Sequence, residues 1–460
     1  MHADQRGLSL TTGSAAAASA YNRAIERYFE YRLDTMKHVK AALEADPDFV
    51  MALCLQGYLL MLFGTNAVLD KARLAHGACL ERLEAANPRE RRHVEALGAW
   101  IEGDIEGTVA LWDRILFDHP LDLLALRLQH FALFWLGRSR ALCGSVAKVA
   151  EAWEDSLPGY GNLQGMFAFG LEECGEYRAA ERRGRLAVEL NSEDLWAVHA
   201  VAHVLEMQGR RQEGLLWLDY PADQWDDRNP FRGHLWWHRA LFALELGRYD
   251  EVLTLYDRSI ATDAFQFYLD VQNAAALLLR LEFQGQDIGP RWGPLADHAE
   301  TAIGDHVLLF TDLHNVMALA REGRDEAAER MLASLAQFGA ATGGETAETV
   351  DHLILPVARA LLDYQSGDYA AAVERLLPLR YRLAPMGASH AQRDIFAQLL
   401  LECAIRGGDW ALARGLASER LAWGHPGVGT WSKYGQVLEG LGDKAGADIA
   451  RQKAAELAGA

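Results

Sequence analysis

Apolar residues recur along most of this chain at the three- and four-residue spacing of amphipathic helices. The segments GEYRAAERRGRLAVEL (175–190) and GRYDEVLTLYDRSI (247–260) show this spacing, which places apolar side chains on one face of a helix. Alternation of apolar and polar residues with a period of two, which is typical of strands, is nearly absent. The pattern therefore predicts an all-α fold.

Short turns that contain glycine separate the helical segments at regular intervals. Eleven glycines mark these turns, 34 to 44 residues apart: Gly64, Gly103, Gly137, Gly175, Gly209, Gly247, Gly285, Gly323, Gly367, Gly408 and Gly442. A helix–turn–helix hairpin of the tetratricopeptide type is about 34 residues long, and glycine suits the left-handed backbone at the end of a helix. A small residue follows six of these turns after five positions, at Ala180, Gly214, Ala328, Ala372, Ala413 and Ala447. Such a residue lets the second helix of a hairpin approach the first.

This repeat sets the expected domain organisation. We predict a single α-solenoid domain, a right-handed superhelix of about eleven hairpins over residues 21–460, with an N-terminal extension over residues 1–20. Two connections, 219–233 and 340–352, are longer than a turn and are predicted to be loops.

Charge and composition exclude several classes of partner. With 64 acidic against 45 basic residues the net charge is −19, which repels phosphate backbones and predicts no nucleic-acid partner. No run of 18 apolar residues is present, so no membrane association is expected, and the N-terminus lacks the apolar core of a signal peptide. Five scattered cysteines without CxxC spacing indicate reduced thiols and a cytoplasmic location. The oligomeric state is not indicated by any of these features.

Seven of the sixteen histidines lie at matching distances before the turn glycines. This histidine stripe consists of His93, His130, His199, His203, His234, His238 and His314. The offsets of 6 to 7, 9 to 10 and 13 residues fall on one face of a helix. Because the first helices of tetratricopeptide hairpins line the concave surface, we expect the stripe to face the groove.

Two neighbouring hairpins carry the densest part of the stripe. His199, His203 and Glu206 follow an H-x3-H-x2-E spacing, and His234 and His238 stand four apart in the next hairpin. These five residues are the candidate catalytic set, because imidazoles and a carboxylate suit acid–base chemistry near neutral pH. The four histidines are also candidate ligands of a divalent metal, zinc or iron, since two imidazoles one turn apart can share an ion. A structural role, with each ring bonded to neighbouring groups, stays open beside these two alternatives.

Other residues are predicted to contact a ligand in the groove. They are His93, His130, Tyr160, Trp236, Asp312, His314, Arg393 and Asp394. Asp312 is expected to orient an imidazole or to cap its helix. Arg393 and Asp394 can bind an anionic group or pair with each other, and pairing is favoured because ion pairs are common on surfaces and in grooves. Glycine-rich phosphate loops and GxSxG motifs are absent from the sequence, which argues against nucleotide-dependent enzymes and serine hydrolases.

Five segments carry a resemblance to a known family. They are DHPLDLLALRLQHFALFWLG (118–137), WAVHAVAHVLEMQGR (196–210), GHLWWHRALFALELGRYDEVLTLYD (233–257), DHVLLFTDLHNVMALA (305–320) and LLPLRYRLAPMGASHAQRDIFAQLL (376–400). Through them the chain resembles the tetratricopeptide repeat protein 38 family from about Asp46 to Gly408. The resemblance implies a soluble helical-repeat protein, and it supplies no reaction or catalytic residues.

Three functions are compatible with these features. The first is a histidine-lined pocket in the concave groove that binds a small-molecule or peptide-like ligand, with acid–base or metal-assisted chemistry. The second is a protein-interaction scaffold that holds an extended partner segment in the groove. The third is a metal-dependent hydrolase or oxygenase. Grooves that clamp a peptide chain usually present Lys, Arg and Asn, whereas this stripe is rich in His, Trp and apolar residues, so the pocket is favoured.

Overall fold

The computed structural model describes residues 2–261, 265, 267–423 and 426–459. Over that part the chain is helical apart from its connections, one isolated bridge and a pair of two-residue strands, β1 (His2–Ala3) and β2 (Ser9–Leu10), which pair antiparallel. The predicted all-α fold class is confirmed.

The helices follow one another through short connections. The first twelve are α1 (Ala15–Phe29), α2 (Thr35–Ala45), α3 (Val50–Met61), α4 (Leu69–Leu80), α5 (Pro88–Ile101), α6 (Ile105–Asp118), α7 (Leu123–Trp135), α8 (Ser139–Ala150), α9 (Tyr160–Glu173), α10 (Tyr177–Leu190), α11 (Leu195–Met207) and α12 (Arg211–Trp217). They are followed by α13 (Phe231–Glu245), α14 (Tyr249–Leu255), α15 (Tyr268–Phe283), α16 (Trp292–Thr301), α17 (Leu309–Arg321), α18 (Asp325–Thr342), α19 (Gly344–Thr349), α20 (Leu355–Ser366), α21 (Tyr369–Leu376), α22 (His390–Arg406), α23 (Trp410–Trp423), α24 (Val428–Gly440) and α25 (Lys444–Ala458).

The helices form two compact units. The first unit comprises Met1–Val201 and Trp225–Arg232, and the second comprises Ala202–Gln224 and Gly233–Ala460. Within each unit consecutive helices pack against each other as hairpins, as α9 packs on α10 and α24 on α25.

The turn glycines join the two helices of each predicted hairpin. All eleven have a backbone φ between 64° and 84°, the left-handed region in which only glycine lacks a steric penalty. The small residues five positions later are buried. The five alanines among them are 0% exposed, and a Cβ atom at Gly214 would lie 2.3 Å from the ring of Phe242. Phe242 lies on α13, the first helix of the next hairpin, so close packing at Gly214 is against that helix, and approach of the two helices within one hairpin stays a prediction.

One hairpin was not predicted. Helices α1 and α2 pack against each other, and α1 begins at Ala15, inside the predicted extension, where the Ser14 side chain accepts a hydrogen bond from the Ala17 amide. The turn has no glycine because Tyr31 takes the left-handed conformation, with φ of 59°. Its ring stacks on Phe231 at 4.4 Å. A search for regularly spaced glycines does not find a turn of this kind. The domain boundary at residues 20 and 21 stays a prediction.

The two long connections differ. Residues 219–230 are non-helical, as predicted. Residues 340–352 are instead mostly helical, since α18 continues to Thr342, α19 follows from Gly344, and a π-helical turn spans Val350–Ile354. The prediction of a loop was wrong there because Val350 and Ile354 are fully buried, and their burial stabilises helix in a stretch whose Gly and Thr content suggested otherwise.

Burial in both units is dominated by apolar side chains, with a minority of buried polar residues that include all seven members of the histidine stripe. No described helix is both long enough and apolar enough to cross a bilayer.

Candidate functional site

Three histidines of the stripe come together in the second unit. His203 lies on α11, and His234 and His238 lie one turn apart on α13. Each is at most 3% exposed. Together with Glu206, one turn after His203, they are called the imidazole cluster below.

The three rings of the cluster are in mutual contact. The ring centroids of His203 and His238 are 4.4 Å apart, and those of His234 and His238 are 4.8 Å apart. One ring nitrogen from each histidine lies within 4.8 Å of those of the other two. Trp237 stacks on His234 at 5.2 Å and 12°, which fixes the plane of that ring.

Two oxygen atoms orient the rings on α13. Nδ1 of His234 lies 2.8 Å from Oδ1 of Asn273 on α15. Nδ1 of His238 lies 2.8 Å from Oε2 of Glu206. Each contact leaves Nε2 as the second nitrogen of its ring, the usual arrangement around a metal-bound imidazole whose other nitrogen is held by an oxygen.

Burial keeps these imidazoles neutral. It lowers the pKa of His203 and of His234 well below the usual range for histidine, and it lowers the pKa of His238 to about 3, with a further contribution from the Arg280 charge. Burial raises the pKa of Glu206 to about 8. Neutral imidazole is the form that binds metal ions, so the rings are in the binding form at neutral pH.

Arg280 supplies a positive charge near the cluster. It lies on α15, is 2% exposed, and donates hydrogen bonds to the carbonyl oxygens of Ala276 at 3.1 Å and Ala391 at 2.8 Å. Its guanidinium carbon is 5.5 Å from the centroid of Trp237. Neither Arg280 nor Asn273 was predicted as a site residue, because each comes from α15, one hairpin further along the chain, and neither stands out in a regular pattern.

Arg393 and Asp394 do not pair with each other, and that prediction was wrong. Asp394 accepts two hydrogen bonds from Arg420, at 2.6 and 3.1 Å, and although burial opposes it, Arg420 lowers the pKa of Asp394 to about 2. Arg393 donates to the carbonyl oxygens of Gly387 and Ala388. Adjacent residues on a helix point in different directions, so each finds a partner elsewhere.

Asp312 orients an imidazole, as predicted, but the ring belongs to His306. Oδ2 of Asp312 is 3.2 Å from Nδ1 of His306, whose Nε2 is 2.8 Å from Oγ of Ser334. The order Asp–His–Ser is that of the catalytic triad of serine hydrolases. Ser334, however, lies in the middle of α18, where the backbone N–H groups are used in the hydrogen bonds of the helix and cannot stabilise an oxyanion. We therefore interpret this chain of hydrogen bonds as structural. Nδ1 of His314 bonds instead to the carbonyl oxygen of Phe310 at 2.7 Å.

Of the remaining candidates, His93 and Tyr160 lie in the first unit and Trp236 lies in the second. In the first unit, Nε2 of His93 is 3.0 Å from Asp122 and its Nδ1 is 3.3 Å from the Tyr58 hydroxyl, so His93 belongs to a buried polar network. Tyr160 begins α9 and is half-buried. In the second unit, Trp236 is buried on α13, beside the Trp237 that stacks on His234.

His199 and His130 lie among aromatic rings in the first unit. The His199 ring is 4.9 Å from Trp196 and 5.3 Å from Phe231, one helical turn before His203 on α11. Its predicted joint role with the other three histidines stays a prediction. His130 is 5.8 Å from the ring of Trp196.

No known protein-family model matches the chain. The human IFIT1 dimer with PPP-AAAA is similar at 15% identity and a TM-score of 0.43, over 96% of this chain and 94% of that one. A tetratricopeptide repeat protein from Parabacteroides merdae is similar at 13% identity and a TM-score of 0.28, over 65% of this chain and 93% of that one. The P58(IPK) TPR domain is similar at 13% identity and a TM-score of 0.23, over 81% of this chain and 98% of that one. At these scores the fold class rests on the helices of the chain itself.

Proposed function

We propose that the imidazole cluster binds one divalent metal ion, preferentially zinc, and that this centre is where this helical-repeat protein binds its ligand. The observation that carries the proposal is the convergence of three buried, neutral imidazoles, with ring nitrogens all within 4.8 Å of one another. Three imidazole ligands leave a coordination position open, as in catalytic rather than structural zinc sites.

Other buried histidines of this chain have the hydrogen bonds expected of a structural imidazole. His93 bonds to a carboxylate and a hydroxyl, and His314 bonds to a backbone carbonyl. The imidazole cluster differs because three rings are packed side by side. The nitrogen atoms of each ring therefore lie close to other imidazoles, and a cation bound between them stabilises this arrangement.

The donor set fits an ion after small side-chain movements. Zinc–nitrogen bonds of about 2.0 to 2.1 Å in a tetrahedron place the nitrogens roughly 3.3 Å apart. The ring nitrogens lie up to 4.8 Å apart, and rotations of the side chains would shorten these separations to that value. A non-haem iron(II) oxygenase would need two histidines and a carboxylate as ligands, whereas the carboxylate of this cluster bonds to His238. Zinc therefore fits better than iron.

Glu206 is assigned an orienting role rather than that of a ligand. Its Oε2 is 2.8 Å from Nδ1 of His238, so the side chain holds the ring. When it is ionised, above its pKa of about 8, it also raises the basicity of the ring. An ion in such a site acts as a Lewis acid and lowers the pKa of bound water. The alternatives for the centre are then hydrolysis and binding of an oxygen-donor ligand without turnover.

A fourth ligand, a family and a location were also expected from the sequence. Metal binding by His199, which precedes His203 by one helical turn, stays a prediction and is not part of the proposed three-histidine centre. Membership of the tetratricopeptide repeat protein 38 family is supported by the five segments quoted above, and a cytoplasmic location by the cysteine pattern.

Cobalt substitution tests the proposal ligand by ligand. Co²⁺ added to the tag-free protein is expected to give a visible ligand-field spectrum of tetrahedral nitrogen coordination. His203→Ala, His234→Ala and His238→Ala should each weaken Co²⁺ binding at least tenfold. His352→Ala, at an exposed position, is the matched control and should leave the spectrum unchanged. The proposal is rejected if wild-type protein gives the spectrum of free Co²⁺, or if the cluster variants behave like the control.

A further inference from the structure

Arg127 is a buried cation surrounded by aromatic rings in the first unit. It lies on α7 and is 2% exposed. Its guanidinium carbon is 4.3 Å from the ring centroid of Phe131 and 4.5 Å from that of Trp196. Tyr31 and Phe29 lie at 5.4 and 5.6 Å, and Arg127 donates a hydrogen bond to the Tyr31 hydroxyl. These rings stabilise the charge partly, by cation–π attraction.

Within the described part of the first unit, Arg127 has no ion-paired acid of the kind that other buried arginines have. Arg89, which is 5% exposed, lies 2.7 Å from Asp122, and Arg228, which is 2% exposed, pairs with Glu193. Among the residues that the structure describes, Arg127 forms no ion pair, and its Nε makes no hydrogen bond.

Burial raises the pKa of Asp194 and the Arg127 charge opposes that shift, but within the described residues the two side chains form no ion pair. The carboxylate oxygens accept hydrogen bonds from the Asn162 amide at 2.8 Å and from the backbone N–H groups of Trp196 and Ala197 at 3.0 and 3.2 Å. The acid is therefore committed to capping α11. A buried charge without a paired partner is costly to keep in a folded protein.

His130 provides a second, independent observation. It follows Arg127 by three residues on α7, so the two side chains share one face of the helix. It is 0% exposed, and within the described part of the chain neither ring nitrogen has a hydrogen-bond partner. Burial and the Arg127 charge lower the pKa of His130 well below its usual range, so the neutral ring offers one donor and one acceptor. His93, equally buried, uses both of its nitrogens.

We propose that Arg127 and His130 form a binding site for the carboxylate group of a small monocarboxylic acid. The guanidinium supplies one positive charge and a planar set of donors that matches a carboxylate. The His130 N–H supplies a further donor. Trp196 is shared by both, at 4.5 Å from the guanidinium and 5.8 Å from the imidazole ring, and the surrounding rings suit an apolar or aromatic body. A phosphate dianion fits less well, since one buried cation compensates one negative charge.

Thermal unfolding of the full chain with benzoate, acetate or phosphate tests the site. Benzoate is expected to raise the melting temperature of wild-type protein in a saturable manner, acetate to do so at higher concentration, and phosphate to have no saturable effect. The size of the increase in melting temperature depends on the affinity, because a ligand that binds only the folded state stabilises that state. A saturable shift with phosphate alone would overturn the assignment to carboxylates.

Two variants and one control link the effect to the proposed residues. Arg127→Met keeps the length of the side chain without the charge, and His130→Phe keeps a ring without its nitrogens; each should weaken benzoate binding at least tenfold. Arg73→Met removes a half-exposed arginine and should bind benzoate as wild type does. Should Arg127→Met fail to fold, His130→Phe decides alone. Unaltered benzoate affinity in His130→Phe, or no saturable shift in wild-type protein, contradicts the proposal.

Discussion

At the scale of single residues, the buried histidines divide according to their partners. His93 bonds to oxygen atoms through both nitrogens, and His314 bonds to a backbone carbonyl. The rings of His203, His234 and His238 instead pack imidazole against imidazole, and the last two each bond to an oxygen atom through Nδ1. The spacing in the sequence located these residues on the first helices of their hairpins. It could not separate the two groups, because the contact between the imidazoles of α11 and α13 depends on how those helices pack.

Asp312 gives a pH-dependent contribution to stability whose sign is fixed by its burial. Burial raises the pKa of Asp312 from 3.8 to about 6, against the opposing effect of His306. Between these values the folded state binds a proton that the unfolded state releases, so this contribution to stability falls as pH rises. A difference of about two units corresponds to roughly 3 kcal/mol.

Asp312→Asn removes that titration. We expect the free energy of unfolding of wild type, relative to the variant, to decrease as pH rises from about 4 to about 6, by at most about 3 kcal/mol. Urea denaturation at a series of pH values measures it. A difference that stays constant or increases with pH over this range would refute the expectation.

Glu206 should act on the proposed metal centre through His238. At pH 9, above the pKa of about 8 of Glu206, Glu206→Gln retains a side-chain oxygen near Nδ1 but removes the negative charge, and we expect zinc affinity to fall about 10- to 100-fold. Competition with a chromophoric chelator measures the affinity. Glu326→Gln, at an exposed position on α18, is the control. Equal zinc affinity in the two variants would argue against an orienting role for Glu206.

At the scale of helices and hairpins, the sequence predicted most of the fold. Glycine is required at the turns by the backbone conformation, and small residues are required by close packing. Both can therefore be recognised by their spacing in the sequence. The α1–α2 hairpin was missed because Tyr31 replaces glycine at its turn. The ion pair of Asp394 with Arg420 was missed for a different reason, since it joins α22 to α23 and depends on how those helices pack.

The small-residue rule can be tested on a pair of glycines. A Cβ atom at Gly214 would lie 2.3 Å from the Phe242 ring, whereas at Gly415, on α23, no atom lies within 4 Å. Gly214→Ala should therefore destabilise the protein by about 1 to 3 kcal/mol through overpacking. Gly415→Ala should stabilise it by about 0.5 to 1 kcal/mol, because alanine favours the helix.

Chemical denaturation of both variants measures these changes. Equal effects of the same sign in Gly214→Ala and Gly415→Ala would show that close helix approach is not what selects a small residue at this position.

At the scale of the whole molecule, the net charge of −19 limits the partners. Association with nucleic acid depends on neutralising phosphates with Lys and Arg, and acidic residues outnumber basic ones here. We expect no saturable binding of a single-stranded RNA oligonucleotide at physiological salt, measured by fluorescence anisotropy. Saturable binding that weakens steeply with added salt would contradict this expectation and would indicate a local basic surface.

The central claim concerns the imidazole cluster, and zinc content tests it most directly. The full chain, prepared without a polyhistidine tag, is loaded with excess zinc, dialysed, and analysed by inductively coupled plasma mass spectrometry. We predict about one zinc ion per chain in wild-type protein and a loss of that ion in the triple variant His203→Ala/His234→Ala/His238→Ala, provided that the variant unfolds cooperatively. Wild-type protein that retains no more zinc than the folded triple variant would contradict the account.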